Sequence, residues 1–434
     1  MRVGLLLAAA LYSHWLFVSD IHLNPYANAT QMYEYVPGDT PYALWESSVR
    51  EMRSRVHNPA VIVLGGDMLA HHFAALARKK GENPQNAALA VNKRIARDLG
   101  TAFPRAQFVV ALGNNDDPCG DYRSETGGPY QTALARIWQP LVDRNGAAPN
   151  FIERFAHGGY YVASAAAPKM RVIVLNSVLW SFVYRGSCAA GPRDPGAAEI
   201  AWLKNELSAR GGRPAAIVMH VPPGYDATST TSAHRFLAVP FLNQSANRSL
   251  LALLSDEDSR VEFALAAHVH RYDFRVAGGV PMLIASSISP VYRNNPAFFE
   301  LEVDRSGVLH DVIPHVYDLQ QAQWTVRQSF DAMYGIDRFS AANLQSVSAR
   351  LGSDASLRQR WIEAYDVWAW RMGDVTDHSW RVYWCTQVQE NGGYASCAGT
   401  EHRFQGVVAA IASLCIAAIA AVALFVRWRL NAAR

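Results

Sequence analysis

From Trp15 to about residue 310 the chain repeats one pattern, a run of four to six apolar residues that ends abruptly in polar ones. The runs are WLFVSDIH (15–22), AVIVLGGD (60–67), QFVVALGNND (107–116), MRVIVLNS (170–177), AAIVMHVPPG (215–224) and VEFALAAHVH (261–270). Short Val- and Ile-rich runs that are apolar at consecutive positions predict strands buried on both faces. Between them, Tyr42 to His57, Ala87 to Leu99, Tyr130 to Val142 and Ala197 to Arg210 have helical spacing. Strands alternating with helices predict a layered α/β domain, with MLIASSIS (282–289) and FFELEVD (298–304) as closing strands. Residues 316–384 change texture to Gln, Trp, Tyr and Arg, with helical periodicity from Ser356 to Arg371. A small helical C-terminal subdomain is expected there, its core built on Trp361, Trp368, Trp370, Trp380 and Trp384.

Two terminal segments set the expected compartment. Val407 to Val426 is twenty residues without a charge, long enough to cross a bilayer as a helix. Arg427, Arg429 and Arg434 follow, which places the tail in the cytosol and the bulk in a lumen or outside the cell. Met1-Arg2 followed by apolar Val3 to Tyr12 reads as a short signal peptide. Asn-x-Ser/Thr acceptors at Asn28, Asn243 and Asn247 agree with a secretory route. The expected organisation is therefore a leader at 1–13, a catalytic domain at 14–315, the helical subdomain at 316–404, a span at 405–427 and a tail at 428–434. The protein would be a single-pass membrane protein with its catalytic domain at the cell surface or in a vacuole- or lysosome-like lumen. Five cysteines without CxxC spacing exclude a zinc finger and a disulfide scaffold. In an oxidising lumen Cys385 can pair with Cys397 and Cys119 with Cys188, leaving Cys415 free in the span.

Composition removes further classes. The formal charge is +3 with no basic run, so no nucleic-acid partner is expected. No GxSxG elbow and no GxxxxGK[ST] loop is present, which leaves Ser-nucleophile and nucleotide-driven chemistry without support.

The polar residues that end the strands supply the chemistry. They are Asp20 and His22, Asp67, Asn114, His220, and His268 with His270. In open α/β sheets ligands bind beyond the carboxyl ends of strands. Taken singly, each has an ordinary explanation as a packed histidine or a turn former. Five such strand ends in succession point to one site. Carboxylate, imidazole and amide oxygen together suit Zn, Mn or Fe, and a shared Asp can bridge two ions that activate water and polarise a phosphoryl group.

The series Asp20-Ile21-His22, Gly66-Asp67, Gly113-Asn114-Asn115-Asp116, His220 and Ala267-His268-Val269-His270 is similar to the five blocks of the calcineurin-like metallophosphoesterases (DxH, GD, GNH[DE], H, GHxH). Neighbouring stretches resemble the acid-sphingomyelinase-like branch: GGDMLAHH with His71 four residues after Asp67, IWQPLV (137–142), NFIERFAHGGYY (150–161), AAEIAWLKNEL (197–207) and MHVPPGY (219–225). The resemblance runs over roughly residues 15–400. It implies a layered β-sandwich flanked by helices and two divalent metal ions, with Zn expected and Mn or Fe as alternatives. One ion would sit on Asp20, His22, Asp67 and His270, the other on Asp67, Asn114, His220 and His268. A metal-activated water would attack phosphorus directly, with no covalent intermediate.

Two positions depart from the family pattern. Ala267 replaces a Gly, and Asn115 replaces the His of GNH, which in the superfamily stabilises the transition state or protonates the leaving group. Asn can donate a hydrogen bond but cannot deliver a proton near pH 7. His71, which the family places near the metals, is the expected substitute acid. GNND also resembles endopolyphosphatase relatives in the same branch, whose phosphate leaving group needs a proton less. The expected activity is phosphodiester or phosphoanhydride hydrolysis, with endopolyphosphatase as the alternative and sphingomyelin below both, since nothing resembles the extra N-terminal lipid-presenting domain of the true sphingomyelinase. The partners are thus a phosphate-containing small molecule, polyphosphate or a lipid headgroup, and the membrane through the C-terminal helix. A non-catalytic, metal-stabilised surface binding protein is the rival from another class. Among the remaining polar residues, Asp116 is expected to orient a neighbour and Asp117 to be a turn residue. His72 is expected at the surface, His234 in a loop near the cleft, Tyr225 in packing and His157 at the start of a hairpin.

Overall fold

The computed structural model describes residues 12–27, 38–166, 168–188, 194–208, 213–232, 237–370, 375–390, 392–400 and 422. The expected span apart from residue 422, the tail, most of the leader, Asn28 and His234 lie outside the described residues. Among the described residues no helix is long and apolar enough to cross a membrane.

Fourteen strands are described: β1 (Tyr12–Val18), β2 (Val61–Leu64), β3 (Gln107–Val110), β4 (Tyr161–Ala165), β5 (Met170–Val174), β6 (Ala215–Val218), β7 (Tyr225–Asp226), β8 (Val239–Pro240), β9 (Val261–Ala266), β10 (Asp273–Ala277), β11 (Val280–Ile284), β12 (Ala297–Asp304), β13 (Leu309–Asp318) and β14 (Gln323–Val326). They form two mixed six-stranded sheets, ordered β14-β13-β12-β1-β2-β3 and β10-β11-β9-β6-β5-β4, and a two-stranded ribbon, β7-β8. β1, β2 and β3 run parallel in the first sheet, as do β5, β6, β9 and β11 in the second. Every site-bearing strand end therefore has parallel neighbours.

The consecutive apolar residues have a simple cause, because alternate side chains of a strand serve opposite faces. In the second sheet Val172, Val174, Val218, Leu265 and Leu283 point into the layer shared with the first sheet. Ile173, Ile217, Ala264, Ala266, Met282 and Ile284 point the other way, under helices Pro195–Ser208 and Gln244–Leu254. Trp15 of β1 meets Phe263 of β9 edge-on at 5.8 Å, one contact across the sandwich. The first sheet's outer face is covered by helices Tyr42–Arg55 and Pro84–Ala102, whose Leu44, Trp45, Met52, Val91, Ile95 and Leu99 are buried in the same core.

Two of the expected domain boundaries fall inside strands. β1 starts at Tyr12, so a leader ending at 13 would remove two ladder residues, Tyr12 opposite Asp304 and Ser13 opposite Val303. β13 and β14 extend the first sheet to Val326, so the division at 315/316 cuts a strand. Helices Ala341–Ser353, Ala355–Tyr365 and Trp380–Val388 follow, and their Leu344, Val347, Trp361, Ala364 and Tyr383 join the sheet core rather than a core of their own. Trp361 is fully buried and Trp368, Trp380 and Trp384 are half-buried, but Trp370 is 63% exposed. His157 ends helix Phe151–Gly158 instead of opening a hairpin. Disulfides join Cys119 to Cys188 and Cys385 to Cys397.

Candidate metal centre

The ends of β1, β2 and β3 in one sheet and of β6 and β9 in the other open at the same edge of the sandwich, and all seven expected ligands come from these ends. Asp20, His22, Asp67, His268 and His270 all have positive φ, from 45° to 76°. Such backbone costs a non-glycine residue about 1–3 kcal/mol, and its clustering at one spot marks a functional constraint. Glycines make the turn feasible. Gly66 has φ +101°, and a Cβ there would lie 2.7 Å from Gly113 N and 2.8 Å from His220 Nδ1. A Cβ on Gly113 would run into the Asp67 carboxylate.

The side chains converge on Asp67. Its Oδ2 lies 3.4 Å from His22 Nε2 and 3.5 Å from His220 Nε2. His220 Nε2 is 3.0 Å from Asn114 Oδ1, while His270 Nε2 is 3.1 Å from both His22 Nε2 and Asp20 Oδ1. Backbone carbonyls fix the tautomers: His22 Nδ1 donates to Leu69 O at 2.9 Å and His220 Nδ1 to Gly65 O at 2.8 Å. Each Nε2 therefore faces the carboxylates. His22, His71 and His270 form one set of close donor atoms, and Asp20, Asp67 and His220 a second. His268 stands at the rim, half-buried, with its backbone N–H on Asp20 Oδ2 and its Nε2 3.1 Å from Tyr122 OH.

This donor set fits a pair of divalent cations. Asp20 Oδ1 is buried with no partner in hydrogen-bonding geometry. Two buried carboxylates, Asp20 and Asp67, share this pocket, a combination that is costly without positive charge beside it. Burial pushes His220 down, yet Asp67 and Asp20 beside it raise it to about 9, whereas burial drives His22 down to about 4. Asp67 is held well below the carboxylate range because His220 and His22 outweigh its burial.

Around these ligands lies a supporting layer. Asp116 accepts backbone N–H bonds from Asp67, Met68 and Gly113 at 2.6–2.9 Å, stapling β2's end to β3's, the orienting role expected of it. Asp117 is buried rather than a solvated turn residue, and receives the Cys119 and Glu125 amides. Asn115 donates to Asp67 twice, from its backbone N at 2.7 Å and its Nδ2 at 2.9 Å. His71 stacks on His22 with ring centres 4.0 Å apart, and its Nδ1 is 2.7 Å from Asp39 Oδ1. Burial pushes His71 down, but Asp39 outweighs it and holds the ring above the ordinary value.

Sequence reasoning missed four residues here: Asp39, Asp121, Tyr122 and Tyr292. Asp121 Oδ1 accepts from Asn114 Nδ2 at 2.8 Å, which turns the amide oxygen of Asn114 inward. Tyr292 OH lies 3.3 Å from His71 Nε2, and its ring stands edge-on to His270 at 4.7 Å. None of the four had a spacing signal; Asp121 and Tyr122 were visible only as neighbours of the GNND block. His72 is exposed, as expected. Tyr225 packs near Tyr394 and accepts the Gly392 N–H, also as expected. Asn247 is buried with its amide bonded to Gly224 N and Glu390 O, so it presents no acceptor nitrogen for a glycan in the folded chain.

No protein-family profile matches the chain. It is 25% identical over 389 residues to human acid sphingomyelinase-like phosphodiesterase 3b, covering 79% of this chain and 81% of that protein. It is 26% identical over 346 residues to sphingomyelinase phosphodiesterase D of Dictyostelium discoideum, covering 74% and 72%. A solved dimetal phosphatase from Danio rerio aligns at a TM-score of 0.44 and 12% identity, over 73% of this chain and 98% of that one.

Proposed function

We propose that this chain, which belongs to the calcineurin-like metallophosphoesterases and is a metal-dependent phosphoric ester hydrolase, cleaves phosphodiesters at the edge of its sandwich. The observation that carries this reading is one continuous cluster at that edge, in which His22 and His220 both reach Asp67, Asn114 reaches His220, and His270 reaches Asp20 and His22. Asp20, His22, Asp67 and His270 would hold one ion, and Asp67, Asn114, His220 and His268 the other. When bound, two such ions supply Lewis acidity, polarising the phosphoryl oxygens and lowering the pKa of water.

The chain's own groups do the rest. Asn115 Nδ2, placed beside Asp67, is a donor for a phosphoryl oxygen whose charge grows in the transition state. His71, with Nδ1 fixed by Asp39, presents Nε2 at the same opening and is the proton donor to the leaving oxygen. The other oxygen of Asp39 accepts the His71 backbone N–H, so one carboxylate holds both the ring and the backbone that carries it.

Asn115 favours the second reading, an endopolyphosphatase, because a phosphate leaving group dispenses with a strong acid. Against it stands the charge of the rim. Asp121 and Asp226 stand near Tyr122 on one side of the opening, carboxylates that a bound polyanion would have to face. We further propose that Val407–Val426 anchors the chain, with the catalytic domain luminal or extracellular.

The test is the full chain with Zn or Mn from pH 5 to 8, given polyphosphate, ATP, a nitrophenyl phosphodiester and sphingomyelin. Preferential cleavage of a diester supports the first reading. Polyphosphate as the preferred substrate would replace it with the second.

A further inference from the structure

Large apolar side chains are exposed at few described positions, and three of them sit on two bonded loops beside the metal centre. Phe182 is 58% exposed and Val183 45%, in the loop that follows β5; Leu237 is 61% exposed, two residues before β8. The two loops are joined: Phe182 N donates to Phe241 O at 2.9 Å, and Ser181 bridges to Leu242. Both are also fixed to the centre. Phe241 packs edge-on against His268 at 5.8 Å, and Arg185 N donates to the carbonyl of Tyr122, the residue bonded to His268. The Cys119–Cys188 disulfide closes the loop onto the segment that holds Asp121 and Tyr122. Exposed Arg185 stands beside the apolar tip.

A third observation fixes what this rim faces. The last continuously described segment, 392–400, starts on the β7-β8 ribbon, with Gly392 N on Tyr225 OH at 2.7 Å, Tyr394 beside the Tyr225 ring and Tyr225 paired with Pro240. Leu237 leads into that same ribbon. Only residues 401–406 separate Thr400 from the apolar stretch that begins at Val407. The seven steps from Thr400 to Val407 reach at most about 25 Å when extended, at roughly 3.5 Å each. A bilayer entered by Val407–Val426 would thus be tethered within about 25 Å of Thr400, the end of the segment that starts on this ribbon.

We infer that the rim formed by Phe182, Val183 and Leu237 is a bilayer-contacting surface that turns the metal centre toward the membrane holding the chain. Exposed apolar side chains with a neighbouring cation are the features of an interfacial contact: the apolar tips enter the acyl boundary while Arg185 meets anionic headgroups. The disulfide and the two backbone bonds hold the tip ready, so little order is lost on contact. The inference rests on the anchor proposed above and deepens the hydrolase reading, since a phosphodiester held in the bilayer then meets His71, Asn115 and the ligands without leaving its surface.

The experiment uses the full chain reconstituted in nanodiscs of phosphatidylcholine with one-quarter phosphatidylserine. An environment-sensitive fluorophore is placed on Phe182→Cys or Leu237→Cys in a Cys415→Ser background. A control label at Arg136→Cys sits beside Gly100 and Thr101, at the opposite edge of the sandwich. Lipids carrying a nitroxide should quench the labels at 182 and 237 at least twofold and leave the label at 136 unchanged. The double variant Phe182→Ser/Val183→Ser should cleave a soluble nitrophenyl diester at the parental rate and a bilayer-held fluorogenic phosphodiester about tenfold more slowly. Equal quenching at all three labels, or none at 182 and 237, overturns the inference. Quenching at the rim without cleavage of any diester would instead sink the hydrolase reading and leave the surface standing.

Discussion

Asp67 shows how much one side chain is asked to do: it faces two imidazoles, receives two bonds from Asn115 and holds its backbone in a left-handed turn. The seven candidate ligands could be picked out in the sequence because each follows a strand end, where a short apolar run stops at a polar residue. The acid could not be settled that way. His71 was visible only by its offset from Asp67, and the carboxylate that fixes it, Asp39, comes from a distant loop with no pattern of its own. His71→Ala should slow hydrolysis of a diester with an alkyl leaving group by about 10²–10⁴-fold, the usual weight of general acid catalysis, and barely affect a nitrophenyl leaving group. Comparing the two substrates checks it; equal losses would assign His71 a binding role.

At the scale of elements, β1, β12 and β13 carry a charge cluster outside the metal centre. Glu300 lies 2.8 Å from His14 Nδ1 and 3.2 Å from His315 Nε2. Burial pushes Glu300 up, but both histidines outweigh it and bring it down to about 2, while Glu300 raises His14. A lowered carboxyl stabilises the fold above its unfolded value and loses that as pH falls through the folded one; a raised imidazole stabilises below its unfolded value and loses that as pH rises. Their joint contribution is therefore greatest between about 4.5 and 6.5. Thermal melts from pH 3 to 9 should show Glu300→Gln losing most Tm in that window, and a loss independent of pH would contradict it. The strands of this region illustrate what patterning conceals. β12 was legible as FFELEVD, but β13 and β14 lack a continuous apolar run. Helix Phe151–Gly158 was missed because eight residues are too few to establish a period.

For the whole molecule, the open question from sequence was whether the C-terminal helices stand apart. Composition changed at residue 316, yet the fold does not divide there, because composition reports which residues are present and not which layer they bury against. Trp361, Leu344 and Tyr383 pack into the sheet core, and Gln387 Nε2 bonds Asp273 Oδ1 of β10 at 2.7 Å. Trp361→Ala should cost about 3–5 kcal/mol, as large-to-small changes in a core do, and lower a single cooperative transition. Two separated transitions in the calorimeter would restore an independent subdomain. The proposed chemistry requires two divalent ions held at the sandwich edge, where they would lower the pKa of water for phosphoester cleavage. The most direct measurement is metal content and nitrophenyl-diester turnover of the purified full chain, beside His220→Ala. Two equivalents of divalent metal in the parent, fewer in the variant and a loss of turnover of at least 10²-fold are predicted. A chain that binds no divalent metal, or a variant that turns over at the parental rate, would contradict it.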